Sequence, residues 1–165
     1  DQLSFVSGRE EENEYLEQAR KGDIPLGYSL GWKELDDFIR LKKNSFGYIL
    51  GLDNIGKSTF LSSIMVASNI IHGLKWGISS PESNVTITRR NLIEAEAGKP
   101  ISQTDKAEYE KILKNSRSNY HIIKNDKHLS IDDVLKRGRV LFEQYGIDFL
   151  LIEGFFFFPL LNKSP

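Results

Sequence analysis

Tyr48-Ile49-Leu50-Gly51-Leu52-Asp53-Asn54-Ile55-Gly56-Lys57-Ser58-Thr59-Phe60 is the stretch that decides the fold. It reads as a buried strand, a tight loop and the first turn of a helix. Gly51 to Ser58 fits G-x-x-x-x-G-K-[ST], the pattern of a phosphate-binding P-loop. A loop wrapped around phosphate turns several backbone N–H groups inward. A Cβ can obstruct that nest, so glycines stand at its two ends. The helix starting near Lys57 aims its positive end at the same phosphates. Lys57 adds a mobile point charge for the β- and γ-phosphates. The Ser58 hydroxyl is placed to ligate Mg2+, and Thr59 can donate to the α-phosphate. The expected nucleotide-binding set is therefore Gly51, Asn54, Ile55, Gly56, Lys57, Ser58 and Thr59.

The plain alternative is a glycine-containing surface turn. The flanks count against it. Phe46 and Tyr48 to Leu50 precede the loop, and Phe60, Leu61, Ile64, Met65, Ile70 and Ile71 follow it at mainly helical spacing.

Composition narrows the rest. One domain is the default for 165 residues, and a chain of this length buries roughly two-thirds of its unfolded surface. A net charge of -1 provides no strong field for nucleic acid or membrane. The absence of cysteine excludes disulfides, thiolate zinc sites and a cysteine nucleophile. No apolar run reaches membrane-spanning length, and the acidic, polar start does not read as a signal peptide. The chain begins at Asp1 and its only methionine is Met65, so the expectation is a fragment or a processed product.

Taken in order, Arg9 to Lys21 reads as a charged helix with a thin apolar stripe. Trp32, Leu35, Phe38 and Ile39 share one face of a short helix, expected to cover one end of the P-loop strand. Gly73 ends the P-loop helix, and Lys75 to Ser79 reads as a strand. Ser83 or Asn84 is expected to cap a helix through about Ala97, and Thr104 a helix over 105–116. Tyr120 to Ile123 is a short strand. Ser130-Ile131-Asp132-Asp133 resembles a capping box with aspartate for glutamate, and Gly146 breaks the helix it opens. Ile147 to Ile152 is a continuous apolar strand ending at Glu153. Strands alternating with helices, and apolar on both faces, predict an α/β fold: a parallel sheet with helices on both sides.

Ligands of parallel sheets bind beyond the carboxyl ends of the strands. Three such ends carry chemistry: the P-loop, Glu82 and Glu153. A nucleoside triphosphatase needs a carboxylate near Mg2+ and often another to activate the attacking water. Glu153 suits the magnesium-side role, acting through metal-bound water because its side chain is long, and Glu82 suits the water-activating role. Each has a plain alternative, a strand-end acid in a turn and a solvated loop carboxylate. His72, His121 and His128 form no metal-ligand spacing. Arg89 and Arg90 read best as a solvated helix face, and Phe155 to Phe158 as core or interface.

The order Ile24-Pro25-Leu26-Gly27-Tyr28, Lys33-Glu34-Leu35-Asp36, the P-loop, Ser79-Ser80-Pro81-Glu82, Arg89-Arg90-Asn91-Leu92, Gly98-Lys99-Pro100 and Asp148 to Glu153 resembles the RecA-like motor domain of DnaB-type and Twinkle-type replicative helicases, over about residues 24–165. The resemblance implies a P-loop NTPase with a RecA-like sheet, using ATP and Mg2+. It implies a homo-oligomer, usually a hexameric ring, translocating on single-stranded DNA, without a membrane. The location it implies is the cytoplasm of a bacterial or phage-infected cell, or an organelle. Lys57 and Glu82 take the catalytic roles, and Ser58 and Glu153 the metal, with Glu153 where the family usually has aspartate. Residues 1–23 correspond to a linker helix that packs on the adjacent subunit, and 24–165 to the amino-terminal part of the ATPase domain.

By the same resemblance, a sensor strand, the DNA-binding loops and an arginine finger follow Pro165. The fold is then cut at its C-terminal side. The P-loop strand and the strand ending at Glu153 are not neighbours in that order, since the sensor strand lies between them. Two other functions stay open: a helicase-derived nucleotide-binding or inactive assembly protein, and a P-loop nucleoside or nucleotide kinase.

Overall fold

The computed structural model describes residues 9–24, 26–52, 55–80, 84–124 and 129–154. In chain order these form α1 (Arg9–Lys21), α2 (Lys33–Asp36), α3 (Lys57–His72), β1 (Trp76–Ser79), α4 (Val85–Ala97), a 3-10 turn (Ile101–Gln103), α5 (Lys106–Asn119), β2 (Tyr120–Ile122), α6 (Ile131–Tyr145) and β3 (Phe149–Ile152). Local capping chemistry sets most helix ends. The Asn84 side chain accepts from the Ile87 N–H at the start of α4. At α6, Ser130 and Asp133 form a reciprocal capping box, the short aspartate serving where glutamate is usual. The cap of α5 is Asp105, not Thr104, because the Thr104 hydroxyl donates back to the Ile101 carbonyl and is spent there.

The three strands are all parallel, in the order β2-β1-β3. Trp76 pairs with Tyr120 on one side and Phe149 on the other. Every residue of β1 is buried. Above one face, Trp76, Ile78, Phe149 and Leu151 pack with Ile64, Met65 and Val66 of α3 and Leu92 of α4. Trp76 stacks on Phe149 at 4.9 Å between ring centroids, and its indole N–H donates to Ser68 Oγ. On the other face, Leu150 and Ile152 meet Val134 and Leu141 of α6. The sheet is thus covered by helices on both faces. Gly77 permits the close seat of α6: a Cβ there would stand 2.8 Å from Ile147 Cδ1 and 3.2 Å from Leu141 Cδ1.

The lead-in to the P-loop is a clasp. Tyr28 and Leu41 exchange backbone hydrogen bonds. Asp36 accepts from Ser29 Oγ, Leu30 N and Gly31 N, which holds its carboxyl below the usual carboxylate range. Gly27, at φ +94, lies so near Leu41 that a Cβ would come within 2.6 Å of its carbonyl oxygen. His72 Nε2 bonds the Ser29 carbonyl at 2.8 Å. The glycine and aspartate of the lead-in are therefore architectural.

Two expectations fail here. The strand expected at 47–51 does not form. Residues 46–52 make no backbone hydrogen bond to β3, and Phe46 and Leu52 are 89% and 81% exposed. A strand needs a ladder partner about 4.8 Å away, and although β3 is the edge strand on this side of the sheet, the stretch pairs with no described strand. The stretch is instead held to β3 at its two ends by side chains, Lys43 to Asp148 at 2.6 Å and Ser58 to Glu153 at 2.7 Å. The short helix beginning at Lys33 also covers no P-loop strand: only Leu35 packs on the core, while Trp32, Phe38 and Ile39 face solvent. Phe155 to Phe158 lie outside the described residues.

Candidate functional site

The site is built where α3 begins and β1 and β3 end. Gly56, at φ +89, caps α3 in the left-handed region that a side chain rarely adopts. This sharp turn lets a helix start immediately beyond the loop, with its unpaired N–H groups facing the strand ends. At the other end of the loop, a Cβ on Gly51 would collide with the Ile55 Cδ1 that folds over it.

Lys57 curls back into its own loop. Its ammonium donates to the carbonyls of Gly51 at 2.8 Å and Leu52 at 2.6 Å. Ser58 Oγ donates to Glu153 Oε1 at 2.7 Å, across 95 positions of sequence. Glu153 is fixed from behind by its backbone, whose N–H donates to the Ser79 carbonyl at 2.9 Å. A hydroxyl and a carboxylate side by side are hard oxygen donors of the kind that suits a hydrated divalent cation. Thr59 is exposed in the first turn of α3, and its carbonyl accepts from Ser63. Asn54 and Glu82 lie outside the described residues.

At the opposite end of β3, burial works against ionisation of Asp148. The Lys43 ammonium and the Lys75 N–H nevertheless hold its carboxyl below the usual range. Arg89 is not on a solvated face as expected. It is half-buried and donates to the Ser116 carbonyl and hydroxyl, tying α4 to α5. Arg90 is exposed and pairs with Glu94 on its own helix.

Sequence reasoning passed over three polar residues beside Ser58: Ser62, Thr88 and Asn91 line a small cavity with it and Glu153. A signal for them existed. Ser62 falls one turn after Ser58, and Asn91 one turn after Thr88, so each pair shares a helix face.

A parallel sheet with helices on both faces, and a phosphate-loop sequence leading into the helix beside its strand ends, fits a RecA-like α/β fold. The chain is 29% identical over 143 residues to the Twinkle homolog protein, chloroplastic/mitochondrial, of Arabidopsis thaliana, which is of the type its motif order resembles. The match takes in 78% of this chain and 20% of that protein, so the chain spans about a fifth of the relative's length. No protein-family model matches the chain, and no solved structure does. Among the described residues no helix is long and apolar enough to cross a membrane.

Proposed function

We propose that this chain is part of the ATP-binding and hydrolysing motor of a ring-shaped replicative DNA helicase. The observation that carries the reading is the meeting of Ser58 and Glu153 at 2.7 Å, at the strand ends where the resemblance asks for a metal. In this reading Gly51, Asn54, Ile55, Gly56 and Thr59 cradle the nucleotide. Lys57 turns from its loop carbonyls to the phosphates, and its charge offsets the negative charge that develops in the transition state. Ser58 and Glu153 would hold Mg2+, which supplies charge neutralisation between phosphates. Glu82 accepts the proton of the attacking water. The proposed partners are single-stranded DNA and further copies of the chain in a hexameric ring, and the proposed location is an organelle or the cytoplasm.

One observation favours a second reading. Lys57 is engaged with the carbonyls of its own loop, which fits a helicase-derived assembly protein that does not turn nucleotide over. ATP turnover by the full-length protein, with and without single-stranded DNA, separates the two. DNA-stimulated turnover lost in Lys57→Ala is the outcome expected of a motor. Nucleotide binding without turnover would leave the assembly protein.

A further inference from the structure

His121 is the middle residue of β2. Its imidazole lies flat on the ring of Tyr145 at the end of α6, with ring centroids 4.2 Å apart and an interplanar angle of 21°. Its Nε2 is buried, and among the described residues it has no hydrogen-bond partner. A neutral imidazole carries one N–H and one bare nitrogen. A bare nitrogen at Nε2 needs no acceptor, so the sealed position suits the neutral ring. A second proton would place an N–H where nothing accepts it, which is costly away from water. The charged groups that act on the ring are both cations: Lys75, just before β1, and Arg89, from α4. The Ser118 backbone, in the last turn of α5, is the group that favours the charged form. A charged ring on Tyr145 would gain some cation–π attraction, but the new N–H would stay unpaired. Burial first, and Lys75 second, hold His121 below the ordinary imidazole range.

We propose that this stack is an acid-released latch joining the β2 edge of the sheet to the end of α6. The ring holds while neutral and lets go when protonated, because Nε2 must then reach water. Lys75 ties the latch to the rest of the sheet. Its ammonium donates to the Tyr145 carbonyl at 3.3 Å, and its backbone N–H donates to Asp148 at 2.9 Å. Between Tyr145 and Asp148 the chain turns at Gly146, at φ +66. Release at Tyr145 therefore loosens the stretch that carries Asp148, the acid gripped by Lys43. Histidine changes charge between about pH 5 and 8, well above the range in which Asp148 titrates. As pH falls, the unfolded chain takes its proton first, near pH 6.5 or so, at about the ordinary value. The stability given by the neutral ring is thus fully present above that value and is lost as pH falls through the lower folded one. The latch does not depend on nucleotide.

The test is a pH series of melts on the full-length protein and on His121→Phe, which keeps a ring on Tyr145 and cannot take a proton. His72 and His128 titrate in both proteins, so the difference between them isolates His121. Between about pH 7 and pH 5 the folding equilibrium of the parent should fall relative to the variant by up to about 10-fold per pH unit. Amide protection at 120–122 and 141–145 should fall ahead of that at 76–79. In the parent itself, with no variant required to fold, the His121 Cε1–H resonance should titrate below the ordinary value of about 6.5. Parallel pH profiles in parent and variant would overturn the latch. So would a His121 resonance titrating at or above the ordinary value, or protection lost equally across the whole sheet.

Discussion

The two flanks of β3 differ in almost every respect. On one side β1 pairs with it residue for residue and is wholly buried. On the other, residues 46–52 run from Lys43 to the P-loop without a rung of ladder, and their apolar side chains face water. The sequences are alike: Tyr48-Ile49-Leu50 is as strand-like in composition as Trp76-Gly77-Ile78. What separates them is the neighbour. Strand propensity expresses packing against a partner rather than a preference of the backbone, and β1 has partners on both edges. The candidate functional groups sit on the seam between the two flanks, with Glu153 on the paired side and Lys57 and Ser58 on the other.

The largest effect is expected on the paired flank. Trp76→Ala removes the stack on Phe149 and the bond to Ser68, and should cost about 3–5 kcal/mol in a denaturant melt. A loss under 1 kcal/mol would mean that this flank is not the core. Next come the chemical groups. Lys57→Ala should lower ATP turnover by about 10²-fold or more while leaving the melting temperature in place, because its bonds reach no further than its own loop. Glu82→Gln should lower turnover by a similar factor, about 10², with nucleotide binding retained. Binding lost together with turnover would make Glu82 structural.

A smaller effect tests the lower rung of the seam by pH. The Asp148 carboxyl is held below its ordinary value, so its stabilisation is present above the unfolded value of about 4. It is lost as pH falls through the lower folded value. Asp148→Asn should flatten the acid limb of a melting series below about pH 4, and an acid limb identical to the parent's would remove this group from the account. The smallest effect belongs to the open flank. Leu50→Ser in this chain should change stability by no more than about 0.5 kcal/mol, whereas Ile78→Ser should be severe. A Leu50→Ser cost above about 2 kcal/mol would show the segment packed in solution and erase the contrast between the flanks.

Much of the fold was legible because its signals are local. Asn84, the Ser130–Asp133 box, Gly73 and Gly146 set helix ends that depend on a few residues nearby. The strands of the sheet were legible from apolar runs bounded by turns. The state of residues 47–51 was not, since pairing is decided by an edge far away in sequence; only the resemblance, which sets another strand between this stretch and β3, foretold that the two do not pair. In the site, the approach of Ser58 to Glu153 could be expected from strand-end logic. The Lys43–Asp148 pair could not, because nothing near either residue announces the other. Ser62, Thr88 and Asn91 carry no local signature, and only their convergence from two helices on one small cavity brings them to notice.

The folded-back Lys57 has a kinetic meaning. Its ammonium is already solvated by two carbonyls of its own loop, tethered to them by a short side-chain stem. Such a tether presents an internal competitor at an effective concentration of millimolar order or above. In the motor reading proposed above, an incoming phosphate would therefore meet an occupied charge. Productive capture waits for the fraction of time in which the lysine swings clear, and the apparent affinity is reduced by that fraction. Any contact that draws the Gly51 and Leu52 carbonyls away from the lysine would prime this loop from a distance.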